Sequence, residues 1–295
     1  MNRTLQIAIA TLFVGLLVLA LKFAAYVATG SVGLYSDALE SLVNVGAAVV
    51  AIIAIRVADK PEDANHPFGH TKAEYFSAVA EGVLIIAAAA SILWEAYNAI
   101  GDPPILEQPS LGLLINVGAT AINAAWGLFL VNRGRRLHSP ALEADGRHLF
   151  TDVITSVGVI VGVLLAIWTA TPILDPIVAA LVALNILWTG WGLVRRSVGG
   201  LMDEAVAPAV AERIRTLIAT NADGAIEAHD LKTRRAGRLT FVEFHLVVAG
   251  SMPVTKAHDI CDRIERALKD EIGNIRISIH VEPEEKAKHA GIVVV

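Results

Sequence analysis

The stretch "GLYSDALESLVNVG", residues 33–46, places polar side chains at regular spacing inside an otherwise apolar segment. Asp37, Glu40 and Asn44 recur three or four residues apart, and side chains at that spacing share one face of a helix. An ionisable side chain at the centre of a membrane span costs about 2.5–3.5 kcal/mol on insertion scales, so it needs a compensating role. The stretch therefore predicts a membrane helix with a polar stripe.

The composition divides the chain into two parts. Of its 295 residues, 55% are hydrophobic and 18% are charged, against roughly 45–50% and about 25% in ordinary soluble domains. The excess is local, because long apolar runs end near Val194 and the chain from Leu201 onward resembles a soluble domain. We expect a transmembrane domain over residues 1–200, a cytoplasmic domain over 201–285 and a disordered tail over 286–295.

Six stretches are long enough to cross a bilayer, since a spanning helix needs about 20 predominantly apolar residues. The first continues from Leu5 through Val27 without a cleavage pattern, which is too long for the core of a signal peptide and indicates a retained span. Turns rich in glycine and proline separate several of the stretches. The predicted spans are approximately 5–28, 33–56, 76–99, 110–132, 142–169 and 174–195.

The distribution of Lys and Arg predicts the orientation. Six spans put both ends of the domain on one side, and the opposite loops carry only the acidic residues Asp102, Glu107 and Asp175. By the positive-inside rule both termini are cytoplasmic, in a plasma (inner) membrane. Lys22 is an exception, and we expect it to snorkel to the outer interface. The basic residues on the cytoplasmic side are Arg3, Arg56, Lys60, Lys72, Arg133, Arg135, Arg136, Arg147, Arg195 and Arg196.

The residues after Gly200 follow a different pattern, in which amphipathic helices alternate with strands. The order is α-β-β-α-β, which is typical of a small α/β domain. The predicted fold class is therefore an α-helical membrane protein, with a six-helix transmembrane bundle followed by a small cytoplasmic α/β domain. The elements are a helix at about 207–220, strands within 226–237 and 238–250, a helix at 254–270 and a strand at 275–283.

Charge and cysteine content exclude several classes of function. The net charge is −5, and no stripe of basic and aromatic residues provides the electrostatic footprint of a nucleic-acid-binding protein. A single cysteine, Cys261, excludes an intramolecular disulfide and a Cys-rich metal site, and we expect it to be a small buried apolar residue. An intramembrane metal hydrolase would need a motif such as His-Glu-x-x-His, which is absent, so we do not predict an enzyme.

Two polar pairs within the spans could together bind a divalent ion. Glu40 and Asn44 in the second span, and His148 and Asp152 in the fifth, are each four residues apart. At 1.5 Å per residue, Asp152 and Asn44 lie roughly 18 and 20 Å from the cytoplasmic helix ends, which is a similar depth. Such ligands suit Zn²⁺ and also admit Mn²⁺, Fe²⁺ or Co²⁺. The alternative is that these residues form hydrogen bonds between helices.

Other polar residues in the spans are given structural roles. Asp37 is expected near the outer mouth of the second span, as a vestibule residue or an N-terminal helix charge. Glu81 and Asn185 have no matched partner in the sequence, and we expect them to face the interior of the bundle.

Histidines form two further candidate metal sites outside the spans. Asp63, His66 and His70 lie in the loop between the second and third spans, at a spacing compatible with a small metal site. In the cytoplasmic domain, His280 and Glu282 alternate on the last strand and so share one face. With the remaining histidines they make up the predicted cytoplasmic site, His229, His245, His258, His280 and Glu282.

The chain resembles the cation diffusion facilitator family of divalent-metal/proton antiporters over residues 5 to 285. The resemblance is carried by "SVGLYSDALESLVN", "HPFGHTKAEYF", "EADGRHLFTDVITSVGV", "LDPIVAALVALNIL" and "AHDLKTR". It implies a Y-shaped homodimer in the lipid bilayer, with metallochaperone-like cytoplasmic domains that pair across a two-fold axis. It also implies export of cytoplasmic metal against an inward flow of protons.

The same resemblance assigns residues to sites. It places Glu40, Asn44, His148 and Asp152 at the family's transport site. Asp63, His66 and His70 match the loop site of some members, and the cytoplasmic histidines with Glu282 match the dimer-interface site. This chain departs from the family at Asn44, where zinc members almost always have Asp. The alternative function is a membrane-anchored metal sensor or scaffold without transport, for which the polar pairs in the spans would be unnecessary.

Overall fold

A computed structural model describes residues 3–103, 106–136, 140–289 and 291–293, and within them six long helices precede a small α/β domain. Each of the six is long and apolar enough to cross a membrane, which confirms the predicted fold class. The chain separates into two compact units, 1–53 with 77–195 and 54–76 with 196–295. The helices are α1 Arg3–Thr29, α2 Val32–Ala58, α3 Ala73–Gly101, α4 Pro109–Arg136, α5 Pro140–Trp168 and α6 Leu174–Leu201.

Glycines allow helices of the first unit to approach closely. A Cβ atom added to Gly146 of α5 would lie 2.8 Å from the carbonyl oxygen of Gly127 on α4. A Cβ atom on Gly82 of α3 would lie 3.1 Å from the carbonyl oxygen of Gly190 on α6. Small residues at helix crossings are typical of membrane bundles, where close van der Waals packing replaces the hydrophobic effect. These two crossings fix α4 against α5 and α3 against α6.

The first turn of α2 is capped from another helix. Ser31 accepts a hydrogen bond from the backbone N–H of Leu34 at 3.1 Å, as an N-cap residue does. Asp175, in the first turn of α6, accepts hydrogen bonds from the Ser31 hydroxyl at 2.7 Å and from the Val32 N–H at 2.8 Å. Asp175 is only 1% exposed. Asp175, which the sequence analysis counted only as a loop charge, thus has a structural role, because its carboxylate satisfies backbone donors at the start of α2.

The cytoplasmic domain has the predicted α-β-β-α-β order and one additional short strand. Strands β1 and β2 are antiparallel, β2 and β3 are parallel, and the sheet order is β3-β2-β1-β4. Two helices cover one face of this sheet and share its apolar core, which includes Ile214, Ile264 and Phe244. The elements are α7 Pro208–Asn221, β1 Glu227–Ala236, β2 Leu239–Val248, α8 Val254–Ile272, β3 Ile275–Pro283 and β4 Ile292–Val293.

The carboxyl-terminal segment is ordered where the sequence predicted disorder. Glu284–Lys286 form a 3-10 turn, and Ile292 and Val293 pair antiparallel with Ala228 and Glu227 of β1. The prediction of a disordered tail over 286–295 is wrong for these residues, because the edge of β1 offers backbone partners that local sequence does not reveal.

Cys261 on α8 is 6% exposed, as predicted for a buried apolar residue. Burial raises the pKa of its thiol above the ordinary value, so the thiolate is disfavoured.

Candidate functional site

The polar pairs of α2 and α5 meet inside the transmembrane unit. The side-chain amide of Asn44 donates a hydrogen bond to Oδ2 of Asp152 at 2.9 Å. One turn earlier on α2, Glu40 has a buried Oε2 atom without a hydrogen-bond partner among the described residues. Buried polar atoms are almost always paired, so an unpaired carboxylate oxygen beside Asn44 and Asp152 suits a cation.

His148 is an exposed residue of α5, one turn before Asp152. Among the described residues, its ligand atoms do not form a compact metal-binding group with Glu40 and Asp152. Glu81 of α3, which the sequence left without a partner, lies within electrostatic range of His148. The structure thus brings Asn44 and Asp152 together, with Glu40 adjacent, whereas the participation of His148 stays a prediction.

A buried ion pair lies one helical turn from this site. The ammonium group of Lys22 on α1 lies 2.7 Å from Oδ1 of Asp37 on α2 and donates to the hydroxyl of Ser156 on α5 at 2.9 Å. The Ser156 hydroxyl in turn donates to Oδ1 of Asp37 at 2.7 Å. Asp37 precedes Glu40 by three residues and Ser156 follows Asp152 by four, so the network borders the site on both helices.

Two predictions from the sequence are therefore wrong. Lys22 and Asp37 are each only 1% exposed, so Lys22 does not snorkel to the interface and Asp37 is not a vestibule residue. The physical reason is that each charge stabilises the other where water is excluded. The available signal was the presence of two opposite charges in neighbouring spans of the same hairpin.

The predicted loop site is assembled in the second unit. Nδ1 of His66 lies 3.1 Å from Oδ1 of Asp63, and Nε2 of His70 lies 3.4 Å from Oδ2. The three side chains form a group whose ligand atoms all lie within 4.8 Å of one another. Hydrogen bonds from the backbone N–H groups of His66 and Asn65 help hold the pKa of Asp63 below its ordinary value. The Asp63 carboxylate is therefore ionised at neutral pH.

Contacts to the β-sheet anchor this loop. Asp59 forms an ion pair with Arg238 at 2.6 Å, and Glu62 forms another with Arg276. The rings of Phe68 and Phe241 meet edge to face, with centroids 5.9 Å apart. The loop that carries Asp63, His66 and His70 is therefore held against β2 and β3 at both charged and aromatic contacts.

Three cytoplasmic histidines lie side by side on neighbouring strands. His229 pairs with His245 across β1 and β2, and His245 pairs with His280 across β2 and β3. The Glu282 carboxylate contacts all three. Its oxygens lie 3.2 Å from Nε2 of His229, 3.3 Å from Nδ1 of His245 and 3.7 Å from Nε2 of His280. Within the described chain, the fifth predicted residue, His258, is exposed and pairs with Asp262 at 3.6 Å.

Two acidic residues near this cluster were missed by sequence reasoning. Glu227 lies 2.9 Å from Nδ1 of His229, which orients the ring and leaves Nε2 directed at Glu282. Asp230 forms a compact group of potential ligands with His229 and His245. The spacing of Glu227 and His229, two apart on one strand, was a usable signal. The position of Asp230 gave no such signal, because a β-bulge with positive φ at Asp230 shifts the register between β1 and β2.

Two family models match the chain. One, described as the cation efflux transmembrane domain, matches residues 8–202. The other, described as the cytoplasmic domain of cation efflux proteins, matches residues 207–284. The boundary between them falls where α6 ends and the soluble domain begins.

Relatives match over most of their length. The chain is 43% identical over 281 residues to the uncharacterized transporter sll1263 of Synechocystis sp., covering 95% of this chain and 91% of the relative. It is 30% identical over 270 residues to the cation-efflux pump FieF of Yersinia pestis, covering 90% and 88%. Among solved structures, the Zn form of CzrB is 50% identical and covers 29% of this chain and 98% of its own, with a TM-score of 0.28.

Proposed function

This chain belongs to the cation diffusion facilitator family of cation efflux transporters, and from that premise we propose that it exports a divalent transition-metal ion from the cytoplasm in exchange for protons. The family consists of transporters and not of enzymes. The cargo is an ion of the Zn, Fe, Mn or Co class. The transport ligands in this proposal are Glu40, Asn44, His148 and Asp152.

One observation carries the proposal. Helices α2 and α5 bring the Asn44 amide and the Asp152 carboxylate into contact, and the adjacent buried Oε2 of Glu40 has no protein partner among the described residues. Oδ2 of Asp37, one turn earlier on α2, is also unpaired among the described residues, and an unsatisfied buried carboxylate oxygen such as that of Glu40 is costly. A divalent cation supplies the missing partner and offsets the carboxylate charges.

Protons and metal compete for the same groups. Metal ligation requires ionised carboxylates and neutral imidazole, so binding of the ion releases protons and protonation expels the ion. Metal and protons are then exchanged if the site opens alternately to the two sides of the membrane. On each side, the site binds the metal ion or protons, whichever outcompetes the other there.

Asn44 bears on the choice of metal. It contributes a neutral amide oxygen, so the site's carboxylates supply a charge of −2 where an aspartate would make it −3. A smaller negative charge favours weaker capture of hard, highly hydrated ions.

The remaining parts of the proposal concern assembly and regulation. We infer a homodimer in a plasma (inner) membrane, with both termini cytoplasmic, in which the loop site and the cytoplasmic site bind the transported class of ion. Support comes from the match of residues 207–284 to the family's cytoplasmic domain and from the two assembled histidine clusters.

The rival function is a membrane-anchored metal sensor or scaffold that moves no ion. It shares the two histidine clusters but requires no cation site between α2 and α5. The direct test reconstitutes the full chain in proteoliposomes with an internal pH reporter and offers Zn²⁺, Mn²⁺, Fe²⁺, Co²⁺, Ni²⁺ and Cd²⁺ in turn. We expect uptake of at least one ion with a coupled pH change. Binding without flux for every ion would establish the sensor instead.

A further inference from the structure

The carboxyl-terminal segment, residues 288–289 and 291–293, lies against the strand that carries His229. Both carboxylate oxygens of Glu227 accept backbone hydrogen bonds from this segment, Oε1 from Lys288 at 2.6 Å and Oε2 from His289 at 3.0 Å. Glu227 also contacts His229, so the segment and the metal-binding histidine share one carboxylate. The segment is therefore part of the support of the site.

The side chain of Lys288 forms an ion pair with a second acidic residue, Asp230. Its ammonium group lies 2.7 Å from Oδ1 and 2.6 Å from Oδ2 of Asp230. The carboxylate of Asp230 belongs to the compact group formed with His229 and His245. Asp230, a potential metal ligand, is thus already paired with the ammonium group of Lys288.

The fit of the segment depends on a residue without a side chain. A Cβ atom on Gly291 would collide with the carbonyl oxygen of Ala228 and would lie 3.1 Å from Cβ of His229. Directly beyond it, Ile292 and Val293 pair with β1. The backbone therefore approaches β1 closely enough to place Lys288 over Asp230.

We propose that Asp230 is a further ligand of the cytoplasmic metal site and that Lys288 occupies it until a divalent cation displaces the lysine. The inference rests on the proposed binding of metal by the cytoplasmic domain. A set of two imidazoles and one carboxylate suits Zn²⁺ or Co²⁺ and repels an additional cation once the ion is bound. Metal binding and the Lys288–Asp230 ion pair are then mutually exclusive, so each weakens the other.

The test measures Zn²⁺ binding to the full chain in detergent by titration calorimetry. The binding component that disappears in His245→Ala defines the cytoplasmic site. We expect Lys288→Met to raise the affinity of that component about two- to fivefold, the range that an exposed ion pair of up to about 1 kcal/mol supports. Lys286→Met, which removes the same charge from an exposed lysine two residues earlier, is expected to change it less than twofold.

A double-mutant cycle assigns the effect to Asp230. Asp230→Asn keeps a residue type that tolerates the positive φ, and we expect it to weaken Zn²⁺ binding and to abolish the gain from Lys288→Met. An equal gain in both backgrounds, no gain in either, or the absence of any His245-dependent component would overturn the inference. Flux in proteoliposomes is measured on the same preparations. Intact flux with a failed cycle rejects only the inference, whereas a successful cycle without flux rejects transport.

Discussion

The membrane site and the cytoplasmic site use similar side chains under opposite energetic conditions. Between α2 and α5, polar groups are excluded from water, and Lys22, Oδ1 of Asp37 and Ser156 contact one another across three helices beside Glu40. In the cytoplasmic site His280 is largely exposed, and carboxylates on the strands orient the rings. Removing one partner of the buried ion pair beside the membrane site therefore costs stability, whereas removing a group at the cytoplasmic site changes mainly metal affinity.

The largest effect is expected from Glu40→Ala. It removes the carboxylate whose Oε2 has no partner among the described residues, so we expect loss of metal flux by at least about a hundredfold. Thermal stability in detergent is expected to hold or rise, because no protein contact of that oxygen is lost. Flux and the unfolding midpoint are measured on the same preparation. A large fall in stability would show that Glu40 is structural and would break the comparison.

The second effect concerns the buried ion pair. Lys22→Met leaves Asp37 as an uncompensated buried charge, which costs on the order of 3–5 kcal/mol. We expect a clear fall in the unfolding midpoint, largely recovered in the double variant Lys22→Met, Asp37→Leu. Lys60→Met, at an exposed lysine after α2, serves as the control and should leave the midpoint unchanged. Equal midpoints for Lys22→Met and the wild type would contradict the role of the pair.

A third effect tests selectivity. Asn44→Asp adds a carboxylate beside Asp152, and we expect a shift of about tenfold in relative transport of hard ions such as Mn²⁺ over Zn²⁺. Asn44→Ser removes the amide without adding charge and separates the two contributions. Uptake ratios across a metal panel make the measurement. The same ratios in wild type and Asn44→Asp would remove this position from metal choice.

The smallest effect is a pH dependence in the cytoplasmic domain. The N–H group of Lys288, with help from His229, holds the pKa of Glu227 below its ordinary value of 4.5. A carboxyl whose folded-state pKa is depressed contributes stability above the unfolded pKa, and the contribution is lost as pH falls through the folded pKa. We expect the protection of the amides of residues 288 and 289, relative to their intrinsic exchange rate at each pH, to fall below about pH 4.5. Glu227→Gln should give low protection at all pH values, and pH-independent protection in the wild type would contradict the assignment.

The parts of the structure that periodicity controls were predictable, and those that depend on contacts between distant segments were not. Helical spacing placed Glu40 with Asn44 and His148 with Asp152, and strand alternation placed His280 with Glu282. Lys22 was misjudged because its partner, Asp37, and the hydroxyl that joins them lie on other helices. Asp230 was missed because a β-bulge shifts the register of β1 after His229, and no local sequence pattern predicts that bulge.

The cap that Asp175 places on α2 has a mechanical consequence. The Ser31 hydroxyl and the N–H groups of Val32 and Gly33 donate hydrogen bonds to Asp175 and so join the first turn of α2 to α6. If α2 rotates as a rigid body about its first turn, the displacement of each residue grows with its distance from that turn. At 1.5 Å per residue, Glu40 lies about 12 Å from Val32 and Val50 about 27 Å. Any tilt of α2 about this fixed end therefore moves Val50 more than twice as far as it moves Glu40.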